Sequence, residues 1–84
     1  MATNIFVGNL PFTTTSADLE QLFSPHGEVA RAQVISDRDT GRSRGFGFVE
    51  MNDDAEAQSA IEALDGTDID GRQIRVNVAR ERSR

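Results

Sequence analysis

The chain has 84 residues, with 14 acidic residues against 9 arginines, no lysine, no cysteine and a formal net charge of −5. This length suits one domain with one small core, and the lack of cysteine excludes disulfides, thiol catalysis and cysteine–zinc sites. No apolar run approaches the roughly 18 residues of a membrane span, and no secretory signal is evident, so we expect a cytoplasmic protein, or a nuclear or organellar one in a eukaryote. The acidic balance at first argues against a nucleic-acid partner, because phosphate binding usually leaves a basic footprint.

The charges are unevenly distributed along the chain. Residues 53–70 contain seven acidic residues and no basic one, whereas residues 72–84 contain five arginines and one glutamate. Residues 31–50 carry four arginines against three acids. A ligand responds to charges within a Debye length of about 8–10 Å rather than to the net charge. The total of −5 therefore does not exclude a nucleic-acid ligand.

The first half of the chain predicts a strand, a helix and a second strand. The apolar run 4–10, followed by Pro11, predicts the first strand. Thr15 and Asp18 have the spacing of a capping box at a helix start. The apolar positions of this helix recur at i, i+3 and i+4, at Leu19, Leu22 and Phe23, and Pro25 and Gly27 end it. We expect Phe12 and Phe23 to be core residues.

The alternating segment 28–35 predicts the second strand, with Arg31, Gln33 and Ile35 on one side. A charged loop over residues 36–43 separates it from a third strand over residues 45–51.

The second half predicts a second helix and a last strand. Asp53 and Glu56 can cap the helix, and its apolar positions are Ala57, Ala60, Ile61 and Leu64. Gly66 ends the helix, a turn follows at Asp70-Gly71, and alternating apolar residues mark a strand over residues 74–78. The order βαββαβ predicts an α+β ferredoxin-like sandwich, in which a four-stranded antiparallel sheet carries both helices on one face. The other face is left open.

The third strand shows which side chains lie on the open face. Period-two alternation places Arg44, Phe46, Phe48 and Glu50 on one side. Burying unpaired charges is costly, so this side is predicted to be the open one. A one-residue slip would instead bury the two charges and expose the apolar set. By the same alternation, Phe6 of the first strand joins the open face.

Three phenylalanines on an open face call for a flat, aromatic partner. Single-stranded bases fit, because stacking contributes about 1–3 kcal/mol per base. Gly47 is expected to leave room for helix packing, and Gly8 to let a base or sugar approach beside Phe6. The alternative is that the patch binds a protein.

Two motifs in these strands identify a family resemblance. Residues 44–50 match the octapeptide Lys/Arg-Gly-Phe/Tyr-Gly/Ala-Phe-Val-x-Phe/Tyr, except that Met51 replaces the last aromatic, and residues 5–10 match the partner hexapeptide. Over about residues 4–80, the chain resembles the RNA recognition motif (RRM). It is similar to small single-RRM proteins of bacteria and cyanobacteria and to the RRM of plant glycine-rich RNA-binding proteins.

The resemblance implies roles for individual residues. Phe6 and Phe48 would each stack on one base, Phe46 would pack against sugars, and Arg44 would pair with a phosphate. Further RNA-contacting positions are implied at Asn9, Arg31, Gln33, Ile35, Arg75, Asn77, Arg80 and Arg82.

The sequence thus predicts one RRM domain over residues 1–80, with an arginine-rich tail over residues 81–84. We expect a monomer that binds single-stranded RNA, or single-stranded DNA, in RNA regulation or RNA chaperoning. No cofactor, metal, membrane partner or catalytic activity is predicted. The alternative function is a protein-interaction module that uses the aromatic face or the acidic second helix.

Overall fold

The computed structural model describes residues 3–79, and its elements follow the predicted order with one addition. The elements are β1 (Thr3–Gly8), α1 (Ser16–Phe23), β2 (Val29–Ser36), β3 (Ser43–Met51), α2 (Asp54–Leu64), β4 (Asp68–Ile69), β5 (Arg72–Gln73) and β6 (Arg75–Val78). A short 3₁₀ helix, Ser24–His26, follows α1 and ends at Gly27. The addition is the small β4–β5 pair.

Four of the strands form one antiparallel sheet in the order β2-β3-β1-β6. Both helices contribute to the same core on one face of this sheet. The fully buried side chains come from the strands, from α1 and α2, and from Leu10 and Ile74 beside the strands; the largest are Phe23, Ile5, Leu10, Leu19, Met51, Ile74, Val7, Val49 and Val76. The predicted ferredoxin-like sandwich with one open face is confirmed.

Side-chain caps fix where the two helices begin. The Thr15 hydroxyl accepts from the Asp18 amide at 3.1 Å, and the Asp18 carboxylate accepts from the Thr15 amide at 3.0 Å, so the predicted capping box is complete. At α2, Asp53 accepts from two backbone amides, but the Glu56 carboxylate accepts from the Glu28 amide at 3.2 Å instead of completing a box.

No helix within residues 3–79 is long and apolar enough to cross a membrane.

The β4–β5 hairpin was predicted only as a turn. Asp70 and Gly71 have φ values of 51° and 85°, which is the left-handed pair that a two-residue hairpin turn requires. Two-residue strands carry too short an apolar pattern to be recognised in a sequence. The hairpin returns the chain to β6, where the Asp65 carboxylate accepts from the Val76 amide at 2.9 Å.

Candidate nucleic-acid interface

Three phenylalanine rings form one cluster on the open face of the sheet. Phe6 of β1 lies directly opposite Phe48 of β3, and their ring centres are 5.8 Å apart. Phe46 lies 5.9 Å from Phe6 and 6.1 Å from Phe48. These separations and the tilted or edge-on angles are typical of favourable aromatic pairs. Phe48 is exposed, while Phe6 and Phe46 are half-buried by their neighbours. The rings therefore present a continuous apolar surface to solvent.

The alternation of β3 decides which face carries the rings. Gly45, Gly47, Val49 and Met51 are buried, whereas Arg44 and Phe48 are exposed and Phe46 and Glu50 are partly accessible. The predicted orientation is confirmed, and the alternative with a one-residue slip is wrong. Because the apolar side of β3 is buried against the helices, the charged groups of Arg44 and Glu50 stay accessible to water.

Strand pairing places polar side chains on both sides of the central ring pair. Gln33 of β2 lies opposite Phe48, and Asn77 of β6 lies opposite Phe6. Gln33, Phe48, Phe6 and Asn77 thus form one row across all four strands, which we call the central row. Gln33 and Asn77 are exposed, so their amides can donate and accept hydrogen bonds beside the rings.

Three of the candidate arginines lie around the cluster. The guanidinium carbon of Arg44 is 6.0 Å from the centre of the Phe46 ring. Arg31 pairs in register with Glu50, and Arg75 pairs with Gly8. All three arginine side chains are exposed. Positive charge therefore borders the rings on β2, β3 and β6.

Two further candidates have more constrained surroundings. Ile35 is half-buried at a register shift between Val34 and Ser36, where the pairing with β3 is irregular. Asn9 follows β1 in a left-handed conformation with φ 58°, and its side-chain amide nitrogen donates to the Gln73 carbonyl at 2.8 Å. This bond ties the end of β1 to β5. The remaining candidates, Arg80 and Arg82, lie outside the described residues.

The Phe6 ring occupies the space above Gly8. A Cβ added to Gly8 would stand 2.7 Å from Cε2 of Phe6 and 2.9 Å from its Cζ, so the ring itself covers this glycine. Gly8 also lines the depression beside Asn9 and Arg44, and the approach of a base or sugar to its backbone stays a prediction that requires the Phe6 ring to move. Gly47, in contrast, has the predicted role: a Cβ there would meet the Leu19 side chain of α1 at 3.0 Å and the Gln33 carbonyl oxygen at 2.5 Å.

Phe12 lies beside the ring cluster, not in the core, so the prediction of a core position is wrong. The side chain is 65% exposed. Leu10 is the buried residue of this segment, and α1 begins only at Ser16, so Phe12 is left in the connecting loop. The guanidinium carbon of Arg72 lies 5.4 Å from the centre of its ring. No local pattern in the sequence distinguishes Phe12 from Leu10 as the exposed residue of this segment.

The model of the RNA recognition motif family matches residues 5–75. The chain belongs to the RNA recognition motif family. This RRM is 60% identical over 80 residues to the chloroplastic 28 kDa ribonucleoprotein of Spinacia oleracea, with 95% of the chain and 34% of that protein covered. It is 54% identical to RbpD of Nostoc sp., with 93% of the chain and 83% of RbpD covered. It is 52% identical to the mitochondrial glycine-rich RNA-binding protein 4 of Arabidopsis thaliana, with 99% and 61% covered.

The predicted resemblance to cyanobacterial and plant glycine-rich proteins is therefore confirmed. The chain spans about a quarter to a third of the length of several chloroplastic relatives. Among solved structures, the RRM superimposes on RNA binding protein PG1 with a TM-score of 0.91 and 49% identity, covering 98% of this chain and 99% of that one. It superimposes on the Sxl-lethal protein in a protein/RNA complex with a TM-score of 0.86 and 38% identity, covering 92% of this chain and 47% of that one.

Met51 is the one departure of this RRM from the octapeptide. Its side chain is fully buried in the core against the helices. Because position 51 faces away from the rings, the departure changes core packing and leaves the open face as the motif prescribes.

The acidic residues of α2 are separated from the rings by the sheet. Asp54, Glu56 and Glu62 lie on the helix that packs against the inner face. The Asp54 carboxylate accepts from the Thr3 hydroxyl at 2.7 Å, and Glu56 accepts from Glu28, so part of this charge has structural partners. The net charge of −5 therefore does not describe the electrostatic potential at the open face.

Proposed function

We propose that this RRM binds single-stranded RNA on its open face, with bases stacked on Phe6 and Phe48. The observation that carries the proposal is the three-ring cluster, whose members contact one another and stay accessible at the centre of the sheet. Phe48 is 37% exposed and Phe6 and Phe46 are partly accessible, so the three rings together offer an apolar surface to a ligand. A base covers such a surface with its π-face while its polar edge stays available for hydrogen bonds.

The central row supplies both stacking and base recognition. Bases stacked on Phe48 and Phe6 bring their edges towards Gln33 and Asn77, which flank the two rings in register. Amide side chains both donate and accept, so they can distinguish base edges. Phe46 offers a third apolar surface for sugars, and Arg44 beside it offers a guanidinium to a phosphate.

The relatives support RNA as the ligand. The Arabidopsis relative is named an RNA-binding protein, and the Sxl-lethal structure contains RNA. The role we propose is post-transcriptional, in RNA regulation or remodelling by a monomeric module without catalytic activity. The cytoplasmic location expected from the sequence stays a prediction, because the spinach relative is chloroplastic and the Arabidopsis relative is mitochondrial.

The expected affinity is modest. Two or three stacked bases contribute about 2–9 kcal/mol before ordering costs, which corresponds to micromolar binding by one domain. The decisive experiment is selection from a randomised single-stranded RNA pool and a matched DNA pool, each at two salt concentrations. Preference for the RNA pool would establish recognition of the 2′-hydroxyl.

The double variant Phe6→Ala/Phe48→Ala then tests the stacking. We expect it to melt as a folded domain and to lose at least about thirty-fold in affinity for a selected octamer, since two stacks of about 1–3 kcal/mol are removed. Glu62→Gln on the exposed side of α2 is the matched control and should bind as the original chain does. Unchanged RNA affinity in the folded double variant would contradict the proposal. Protein capture that survives nuclease treatment would favour the protein-interaction alternative.

A further inference from the structure

Two Asp-Gly dipeptides occur in the chain, Asp65-Gly66 and Asp70-Gly71. An aspartate before a glycine can close a five-membered succinimide ring, because glycine has no side chain to hinder attack by its own backbone nitrogen. All four residues are exposed, and both glycines are left-handed, with φ 84° and 85°. Residue type, exposure and the conformation of the glycine therefore do not distinguish the two dipeptides, but their hydrogen bonds do.

Hydrogen bonds hold Asp65-Gly66 between α2 and β6. The Asp65 carboxylate accepts from the Val76 amide at 2.9 Å, and the Gly66 amide donates to the Ile74 carbonyl at 2.9 Å. Val76 and Ile74 are both core residues. The carboxylate and the amide that would react with each other are thus both bound to the segment 74–76. Ring closure at Asp65 would have to break both bonds.

Asp70-Gly71 forms the turn between β4 and β5, which pair at only two positions. Within residues 3–79, neither the Asp70 carboxylate nor the Gly71 amide has a hydrogen-bond partner. A Cβ on Gly71 would meet nothing within 4 Å, so the turn stands free of its surroundings. Short, exposed hairpins open locally at low free-energy cost, and opening lets the two groups meet.

We propose that Asp70 is a site of spontaneous isoaspartate formation, and that two hydrogen bonds protect Asp65 from the same reaction. In the carboxylic acid form of Asp70, the Gly71 nitrogen bonds to Cγ, while the Gly71 amide proton and the carboxyl hydroxyl leave as one water molecule. Solvent water then adds to the succinimide. Cleavage between the nitrogen and Cγ restores aspartate, whereas cleavage between the nitrogen and the Asp70 backbone carbonyl carbon yields isoaspartate.

Isoaspartate at position 70 lengthens the backbone of the turn by one carbon, because the main chain then passes through Cβ and Cγ. The register of a hairpin depends on the length of its turn, so the β4–β5 pairing is lost. Two contacts depend on this hairpin: the Gln73 carbonyl accepts from the Asn9 side chain, and Ile69 packs against the core. The isomerised chain should therefore be less stable than the original one.

The test follows isoaspartate in the folded chain during prolonged incubation in warm neutral buffer. Protein isoaspartyl methyltransferase reports the total amount. Electron-transfer fragmentation of the tryptic peptide 45–72, which contains both dipeptides, locates the modified residue. We expect isoaspartate to form about ten- to a hundredfold faster at Asp70 than at Asp65, since two hydrogen bonds must open at Asp65. Asp70→Glu should remove the signal, because glutamate would have to close a less favourable six-membered ring.

Urea separates the effect of the fold from that of the flanking sequence. In the unfolded chain the hydrogen bonds are gone, so the two rates should agree within about twofold. Equal rates in the folded chain, or a difference that persists in urea, would overturn the proposal. Formation at Asp70 in urea only would also overturn it, because the turn would then protect the residue.

The stability of the product is measured on the isomerised fraction, separated by hydrophobic-interaction chromatography. We expect this fraction to unfold at a lower urea concentration than the original chain. An equal midpoint would contradict the loss of the β4–β5 pairing. The reaction needs no RNA, so these outcomes are independent of the proposed function.

Discussion

The ring of Phe6 lies over Gly8, two residues further along the same strand, so close that a Cβ on Gly8 would stand 2.7 Å from Cε2 of the ring. The absence of a side chain at Gly8 therefore gives the Phe6 ring its position. Gly8 does not have a positive φ, so an alanine can adopt its backbone conformation. The atoms that a Cβ would meet belong to the Phe6 side chain, which can move. A side chain at Gly8 should displace the ring while the strand stays intact.

We accordingly expect Gly8→Ala to lower RNA affinity by about three- to tenfold, a fraction of one lost stack. Thermal unfolding should change little. Fluorescence anisotropy with a selected RNA octamer and a melting curve measure the two effects. An affinity equal to that of the original chain would show that the position of the Phe6 ring over Gly8 is not needed for binding.

A glycine-to-alanine substitution on the inner face of the sheet should instead act mainly on stability. A Cβ on Gly47 would meet the Gln33 carbonyl oxygen at 2.5 Å and Leu19 at 3.0 Å, and neither the paired strand nor the buried helix can move freely. Gly47→Ala should therefore lower the free energy of unfolding by about 2–3 kcal/mol, as overpacking does. Urea unfolding of Gly47→Ala and Gly8→Ala compares them directly, and a greater loss in Gly8→Ala would contradict this account.

Asn9 is predicted to contribute to stability through its backbone and its side chain together. Asn9→Ala should cost about 1–3 kcal/mol, because alanine is disfavoured at φ 58° and the bond to Gln73 is lost. Asn9→Gly loses the bond but tolerates the conformation, so its cost should be smaller, about 0.5–1.5 kcal/mol. Equal free energies of unfolding for the two variants would remove the conformational part of this explanation.

Salt dependence should reveal how few phosphates the RRM contacts. Each contact with single-stranded nucleic acid contributes about −0.7 to the slope of log K against log salt. Arg44→Gln should make the slope shallower by about 0.7, because Arg44 lies beside Phe46 at the proposed strand path. Arg38→Gln, an exposed arginine in the β2–β3 loop, is the matched control and should leave the slope unchanged. An equal change in both variants would indicate a diffuse field instead of a defined contact.

The orientation of β3 was predictable because its alternation is unambiguous. Arg44 and Glu50 cannot share a side with the core without a large desolvation cost, so Phe46 and Phe48 must face outwards with them. The start of α1 was also predictable, since the Thr15–Asp18 box needs only residues three positions apart. The cap of α2 was predicted only in part. Asp53 caps the helix, but the Glu56 carboxylate accepts a hydrogen bond from the Glu28 amide, which is far away in the sequence.

The sequence by itself determined the order of the elements, the open face and the three rings on it, because strand and helix periodicities are local properties of the chain. Only the tertiary structure decided that Gln33 and Asn77 share a row with Phe48 and Phe6, since register joins residues from separate strands. It also decided that Gly8 lies under the Phe6 ring. The exposure of Phe12 depended on competition for the core, which Leu10 occupies in its segment, and no local pattern shows which of two apolar neighbours will be buried.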